Sequence, residues 1–263
     1  MFRNIEMWIS WLKTDPIQFF IYFLYLIASV LLSLMLHEVA HGYIAYRCGD
    51  PTAKMMGRLS LNPLKHLDPI GTACMFLLGF GWAKPVPVNP RNFRNYRRDD
   101  LMVSVAGIIT NLTLFLVATA LAVGLNGLLW KQEVIDYYGA KTLLSSDGLA
   151  YGILLTGQGS QVQDLMRTPW LQYVQRFLLL FATINLGLGV FNLLPLPPLD
   201  GFHVFNDILL RGRLMLNRQT FQIAQIVLFG LVFTGILSTI MSTVMGAIES
   251  GVLNIFLRMT GAA

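Results

Sequence analysis

The sequence predicts an all-α, polytopic membrane protein: about four long transmembrane helices, a re-entrant segment and a short extended cytoplasmic loop. Three observations carry this expectation. Only 13% of the 263 residues are charged and 55% are hydrophobic, whereas soluble domains are about one-quarter charged. The mean hydropathy is +0.59, which also excludes a disordered chain. Four stretches, residues 17–36, 101–130, 177–199 and 219–248, contain no Asp, Glu, Lys or Arg. As helices, each reaches the ~20 residues needed to cross a ~30 Å hydrocarbon core.

The elements follow in order. Residues 1–13, with Ile5, Trp8, Ile9 and Leu12, are read as a short interfacial helix. Asp15 as N-cap and Pro16 at the first helical position start the first span. It runs to about Tyr46, where Gly49 and Pro51 stop it. Residues 69–83 are free of charge but number only fifteen. A helix of that length reaches about 22 Å, so the segment is read as re-entrant or half-buried. Residues 131–173 form the longest polar connection, a loop with some helix around Gly157-Gln158-Gly159-Ser160. The whole chain, 1–263, is expected to be a single membrane-embedded domain. Residues 1–16 form its interfacial segment, 17–210 its catalytic core and 211–263 its C-terminal transmembrane region. No cleavable signal peptide is evident, and Cys48 and Cys74 do not make a disulfide framework.

The net charge of +5 needs no nucleic-acid partner, because basic loops orient membrane proteins. With four spans, loops 47–68, 84–100 and 201–218 share one side and hold twelve Lys and Arg. The segments on the other side are longer yet hold seven. The first set is therefore expected to be cytoplasmic. Arg91, Arg94, Arg97 and Arg98 are read as an anchor at anionic head groups.

His37-Glu38-Val39-Ala40-His41 is an H-E-x-x-H motif inside the first long helix. Histidines at i and i+4 share a helix face at the spacing two imidazoles need to hold one zinc ion. The glutamate between them can serve as general base. Glu38 is the only charge between Ile17 and Tyr46, and a lone intramembrane carboxylate implies a partner and a purpose. Zinc needs a third protein ligand. Asp200 is the candidate, read as lying on irregular backbone after Pro195, Pro197 and Pro198; the other reading is a turn residue in Asp-Gly.

Several other polar residues carry two readings each. Asn111 offers either an amide for a developing oxyanion or a helix–helix hydrogen bond; Asn192 has the same pair and is read as structural. His66 is a gate or proton carrier, or a loop and capping residue. His203 supports the metal ligand from behind, or lies in a surface loop. In Pro85-Val86-Pro87-Val88 only Val86 and Val88 keep N–H groups, so an extended chain there can pair along one edge. It is read as a substrate-binding edge acting by β-augmentation, or as a rigid linking loop.

These segments resemble the site-2 proteases, intramembrane zinc metalloproteases, in the compact prokaryotic form without PDZ or CBS domains. The resemblance rests on His37–His41, Gly49-Asp50-Pro51, residues 57–63, His66-Leu67-Asp68-Pro69-Ile70-Gly71, residues 81–90, Ala106-Gly107, Asn111 and residues 191–201 ending in Leu199-Asp200-Gly201. Ile108 stands where the family usually has proline. The resemblance implies His37, His41 and Asp200 as ligands of one Zn2+ per chain, Glu38 as catalytic base, and Asn111 close to the site. It also implies a transmembrane protein as substrate and hydrolysis within the bilayer of a cell membrane, with the site toward the cytoplasm. Two other classes are weighed. A non-catalytic scaffold with a structural zinc would have no need of Glu38. A metal transporter would need ligands along an alternating-access path, and the chain has only four histidines.

Overall fold

The structure is a computed structural model that describes residues 2–71, 83–214 and 217–261, with side chains from Trp8 onward. Eleven α-helices are described: α1 (Phe2–Thr14), α2 (Pro16–Arg47), α3 (Thr52–Met55), α4 (Tyr96–Leu129), α5 (Gln132–Tyr138), α6 (Ala140–Leu144), α7 (Leu149–Leu155), α8 (Leu171–Asn192), α9 (Asp200–Leu209), α10 (Arg218–Phe233) and α11 (Ile236–Thr260). Among the described residues there is no strand, only two isolated bridges, Leu67 with Ala83 and Trp130 with Met166. The protein is all-α. α2, α4, α8 and α11 are long and apolar enough to cross a membrane.

Local chemistry sets the helix ends. The Asp15 carboxylate accepts the Gln18 N–H at 3.1 Å, capping α2 one residue before Pro16. α2 ends at Arg47, and Gly49 follows with φ +111°. At the start of α4, Asn95 accepts the Arg98 N–H while Asp99 accepts the Asn95 N–H, a reciprocal capping arrangement. Asn217 caps α10 through the Thr220 N–H at 2.8 Å.

Two expectations need correction. Residues 219–248 do not form one span. Gly235, with φ +77°, separates α10 from α11, because a left-handed residue cannot continue a right-handed helix. Asp200 is not on irregular backbone: residues 193–199 are irregular, and Asp200 is the first residue of α9. The prolines end α8, and a carboxylate at a helix N-terminus is favoured by the helix dipole. The re-entrant reading of 69–83 falls largely on residues outside the described ones.

Packing divides the chain into two compact units. The first comprises residues 31–112 and 187–241. Its core includes Leu199, Leu228 and Leu237, packed by Phe191, Leu194 and Leu196. The second comprises residues 2–30, 113–186 and 242–263. There, Arg176 is buried and donates to the Leu155 carbonyl at 2.6 Å. Glu249 of α11 accepts the Ser146 N–H at 2.9 Å and the Ser146 hydroxyl. The carbonyl bond offsets part of the cost of burying the Arg176 charge, and half-buried Glu249 is held by both Ser146 donors.

Candidate metal centre

The first unit brings three donor atoms together. His37 and His41 of α2 lie one turn apart, with their Nε2 atoms 3.0 Å from each other. Asp200 Oδ2 lies 3.3 Å from His37 Nε2 and 3.2 Å from His41 Nε2. Both imidazoles are nearly buried. Among the described residues these three form the one His/Cys/Asp/Glu group suited to a metal ion.

The donor set fits zinc. Metal–ligand bonds of 2.0–2.2 Å arranged tetrahedrally put neighbouring N and O donors about 3.3 Å apart, close to the separations observed. The His41 tautomer is also fixed. Its Nδ1 lies 2.8 Å from the Val103 carbonyl, which can only accept, so Nδ1 carries the proton and Nε2 offers a lone pair. Asn111 is fully buried, its Nδ2 lies 3.2 Å from His37 Nδ1, and its Oδ1 has no hydrogen-bond partner. Exchanging the two ends of the amide would give Oδ1 an Nδ1–H to accept and leave His37 Nε2 free to ligate.

Gly107 of α4 makes room for the pair. A Cβ there would sit 2.4 Å from both His37 Cε1 and His41 Nε2. The glycine is required by space, since any larger residue would occupy the imidazole positions.

Glu38 points to another part of the chain. Its Oε2 accepts the Val86 N–H at 2.7 Å. Val86 is buried, and a Cβ at Gly42 would lie 2.8 Å from Val86 Cγ1, so Gly42 lets the 85–88 segment close onto α2. Both ends of the segment are tied down. The Lys84 N–H donates to the His66 carbonyl and the Lys84 carbonyl accepts from Arg58 Nη2, each at 2.9 Å. Beyond the segment, Asp50 accepts the Asn89 N–H at 2.7 Å, Asn92 Nδ2 at 2.8 Å, and the Thr52 N–H and hydroxyl. Burial by itself would raise the Asp50 carboxyl. The donors from Asn89, Thr52 and Asn92 outweigh it and hold the group below the ordinary carboxylate range.

α9, which carries Asp200, is fastened to the start of α4. Arg97 donates twice to the Asp207 carbonyl, at 2.9 and 2.6 Å, and His203 Nδ1 lies 3.3 Å from Asp100 Oδ2. His203 thus reaches Asp100 rather than the donor set. His66 is buried against the Ser60 carbonyl at 2.8 Å, and Asn192 donates to the Leu188 carbonyl in its own helix.

Asp50, Val103 and Gly107 were not singled out from sequence as parts of the site. Asp50 carried a signal only as part of the Gly49-Asp50-Pro51 match, and nothing local marks the Val103 carbonyl. Gly107 carried a signal only as part of the Ala106-Gly107 match.

The sequence profile of peptidase family M50 matches residues 25–235. The chain belongs to peptidase family M50. The protein named "Putative zinc metalloprotease YwhC" of Bacillus subtilis is 38% identical over 188 residues, covering 72% of this chain and 70% of that protein. Rip2 of Mycolicibacterium smegmatis, with the same descriptor, is 31% identical over 130 residues, or 46% of this chain and 48% of its own length. Rip2 of Mycobacterium tuberculosis is 33% identical over 121 residues, or 43% and 46%. No solved structure matches the chain. As an M50 peptidase of the site-2 protease class, the chain is a zinc-dependent intramembrane metalloendopeptidase, a multi-pass membrane protein rather than a zinc-holding scaffold.

Proposed function

We propose that this M50 peptidase cleaves peptide bonds within or beside transmembrane segments of other membrane proteins, from a site reached from the cytoplasm. The observation that carries the reading is the convergence of His37, His41 and Asp200 within hydrogen-bonding distance of one another, with Glu38 next to His37 in the H-E-x-x-H sequence.

His37 Nε2, His41 Nε2 and Asp200 Oδ2 would hold the zinc. When bound there, zinc polarises the scissile carbonyl and acidifies a water molecule. Glu38 takes the proton from that water and passes it to the leaving amine. The Val103 carbonyl keeps His41 in the ligating tautomer, and the Asn111 amide, with Oδ1 turned toward His37 Nδ1, would do the same for His37. A substrate helix hides its carbonyls in hydrogen bonds, so it must unwind before attack.

Pro85, Val86, Pro87 and Val88 form the edge that receives the unwound strand. In an extended run alternate N–H groups share an edge. The Val86 N–H faces Glu38, so the donor edge faces the site, while Pro85 and Pro87 leave the other edge without donors. The cytoplasmic placement rests on the Lys and Arg surplus of loops 47–68, 84–100 and 201–218.

The test is purification in detergent, zinc quantification, and cleavage of a panel of transmembrane peptides by wild type and Glu38→Ala. Zinc retained with cleavage lost supports the reading; equal cleavage by both proteins refutes it.

A further inference from the structure

The second unit contains a groove that the proteolytic reaction does not use. It has a volume of about 760 Å³ and is lined by the C-terminal parts of α4 and α11 together with α5 and the start of α6. Lys141 and Arg258 bring two cations to it, and Asp136 one carboxylate. Among the described residues no carboxylate lies within 4.0 Å of either cation, and the Arg258 guanidinium has no partner at all. Lys141 donates to the Ser250 hydroxyl at 2.8 Å. Asn126 also lines the groove; it is 3% exposed, and its Oδ1 has no hydrogen-bond partner. Buried amide oxygens are rarely left unpaired in a folded chain.

We propose that this groove binds the head group of a membrane phospholipid carrying both a phosphate and a primary ammonium. Lys141 and Arg258 hold the phosphate, and Asp136 and the Asn126 oxygen accept the ammonium protons. The two charges of such a head group match the two signs of charge in the groove.

The position of the groove favours a lipid over a soluble ligand. α4 and α11 are both candidate membrane spans, so Leu129 and Thr260 at their C-terminal ends fall near head-group depth, where basic pockets between helices take lipid phosphates. α4 also provides an apolar path leading away from the cations. Gly124 and Gly127 have open space where a Cβ would stand, and Leu121 and Leu128 beside them are half exposed. That open apolar face has room for an acyl chain.

Native mass spectrometry of the delipidated full chain in detergent tests this. Phosphatidylethanolamine, phosphatidylcholine and inorganic phosphate are titrated separately. The proposal expects one phosphatidylethanolamine per chain, bound at least ten-fold more tightly than phosphatidylcholine, whose quaternary ammonium donates no hydrogen bond. Lys141→Gln combined with Arg258→Gln lowers that affinity about ten-fold or more while helical content is unchanged. Gly124→Leu, which puts a bulky side chain on that face outside the groove lining, weakens the lipid and leaves any inorganic phosphate binding as it was. Equal lipid binding by wild type and the double variant overturns the proposal. So does phosphatidylcholine binding as tightly as phosphatidylethanolamine, or Gly124→Leu leaving lipid affinity unchanged.

Discussion

The backbone N–H of Val86 donates a 2.7 Å hydrogen bond to Glu38 Oε2 across 48 residues of sequence. The proposed base and the proposed substrate edge are therefore in direct contact. A substrate strand pairing with Val86 would have to share or displace that bond. The two functions assigned from separate motifs meet at one donor.

Glu38→Gln is expected to keep the Val86 bond, since the amide oxygen still accepts, and to keep zinc, since Glu38 is not among the three ligands. Cleavage should fall about 10²- to 10⁴-fold, the usual contribution of a positioned base. Metal analysis alongside a transmembrane-peptide assay checks both halves.

Gly107→Ala is expected to expel the metal. Its Cβ would lie 2.4 Å from His37 Cε1 and His41 Nε2, so one imidazole must leave its place. Zinc content should drop below one per chain while circular dichroism stays helical. Full zinc occupancy in the variant would show that α4 can move aside.

Asn111→Leu should weaken zinc about 10- to 100-fold, the usual effect of removing a group that orients a ligand. Asn111→Asp, which keeps an oxygen for His37 Nδ1, should recover most of that loss. Competition with a chromophoric chelator reads both. If Asn111→Leu binds zinc as wild type does, the amide does not orient His37.

Val88→Pro probes the substrate edge. The Val88 N–H has no partner among the described residues, so removing it costs the folded chain little. If the substrate pairs there, KM should rise several-fold with kcat nearly unchanged, because a hydrogen bond made equally in ground and transition states affects binding alone. Unchanged KM would return residues 85–88 to the role of a rigid link.

Asp50→Asn should destabilise the chain by about 1–3 kcal/mol at neutral pH, since four donors then face a poorer acceptor. The sign of the pH dependence follows from the depressed carboxyl. Its stabilisation is fully present above the unfolded-state value near pH 4 and is lost as pH falls through the lower folded-state value. The gap in unfolding midpoint between wild type and variant should be widest at pH 6–7 and close below about pH 4. A gap that stays constant with pH would mean that the Asp50 charge does not hold the loop.

Much of this molecule is local and could be read from the chain alone. The spans follow from charge-free length, and the His37/His41 pair follows from helical periodicity, since residues four apart share a face in any α-helix. Asp15, Pro16 and Gly49 mark the ends of α2 for the same reason: capping and positive φ act over a few residues. Contacts between distant segments lay beyond that reach. The Val103 carbonyl on His41 spans 62 residues and the Asp50 grip on Asn89 spans 39. No periodicity encodes either, because each depends on how separate helices and loops pack. The break at Gly235 escaped for a different reason. Counting charges measures apolar length and is blind to backbone conformation, and one residue in the left-handed region divides a stretch that composition treats as continuous. Which atoms form a zinc-sized pocket, and which backbone N–H meets the base, were settled only once α2, α4, α9 and the 85–88 loop had packed together.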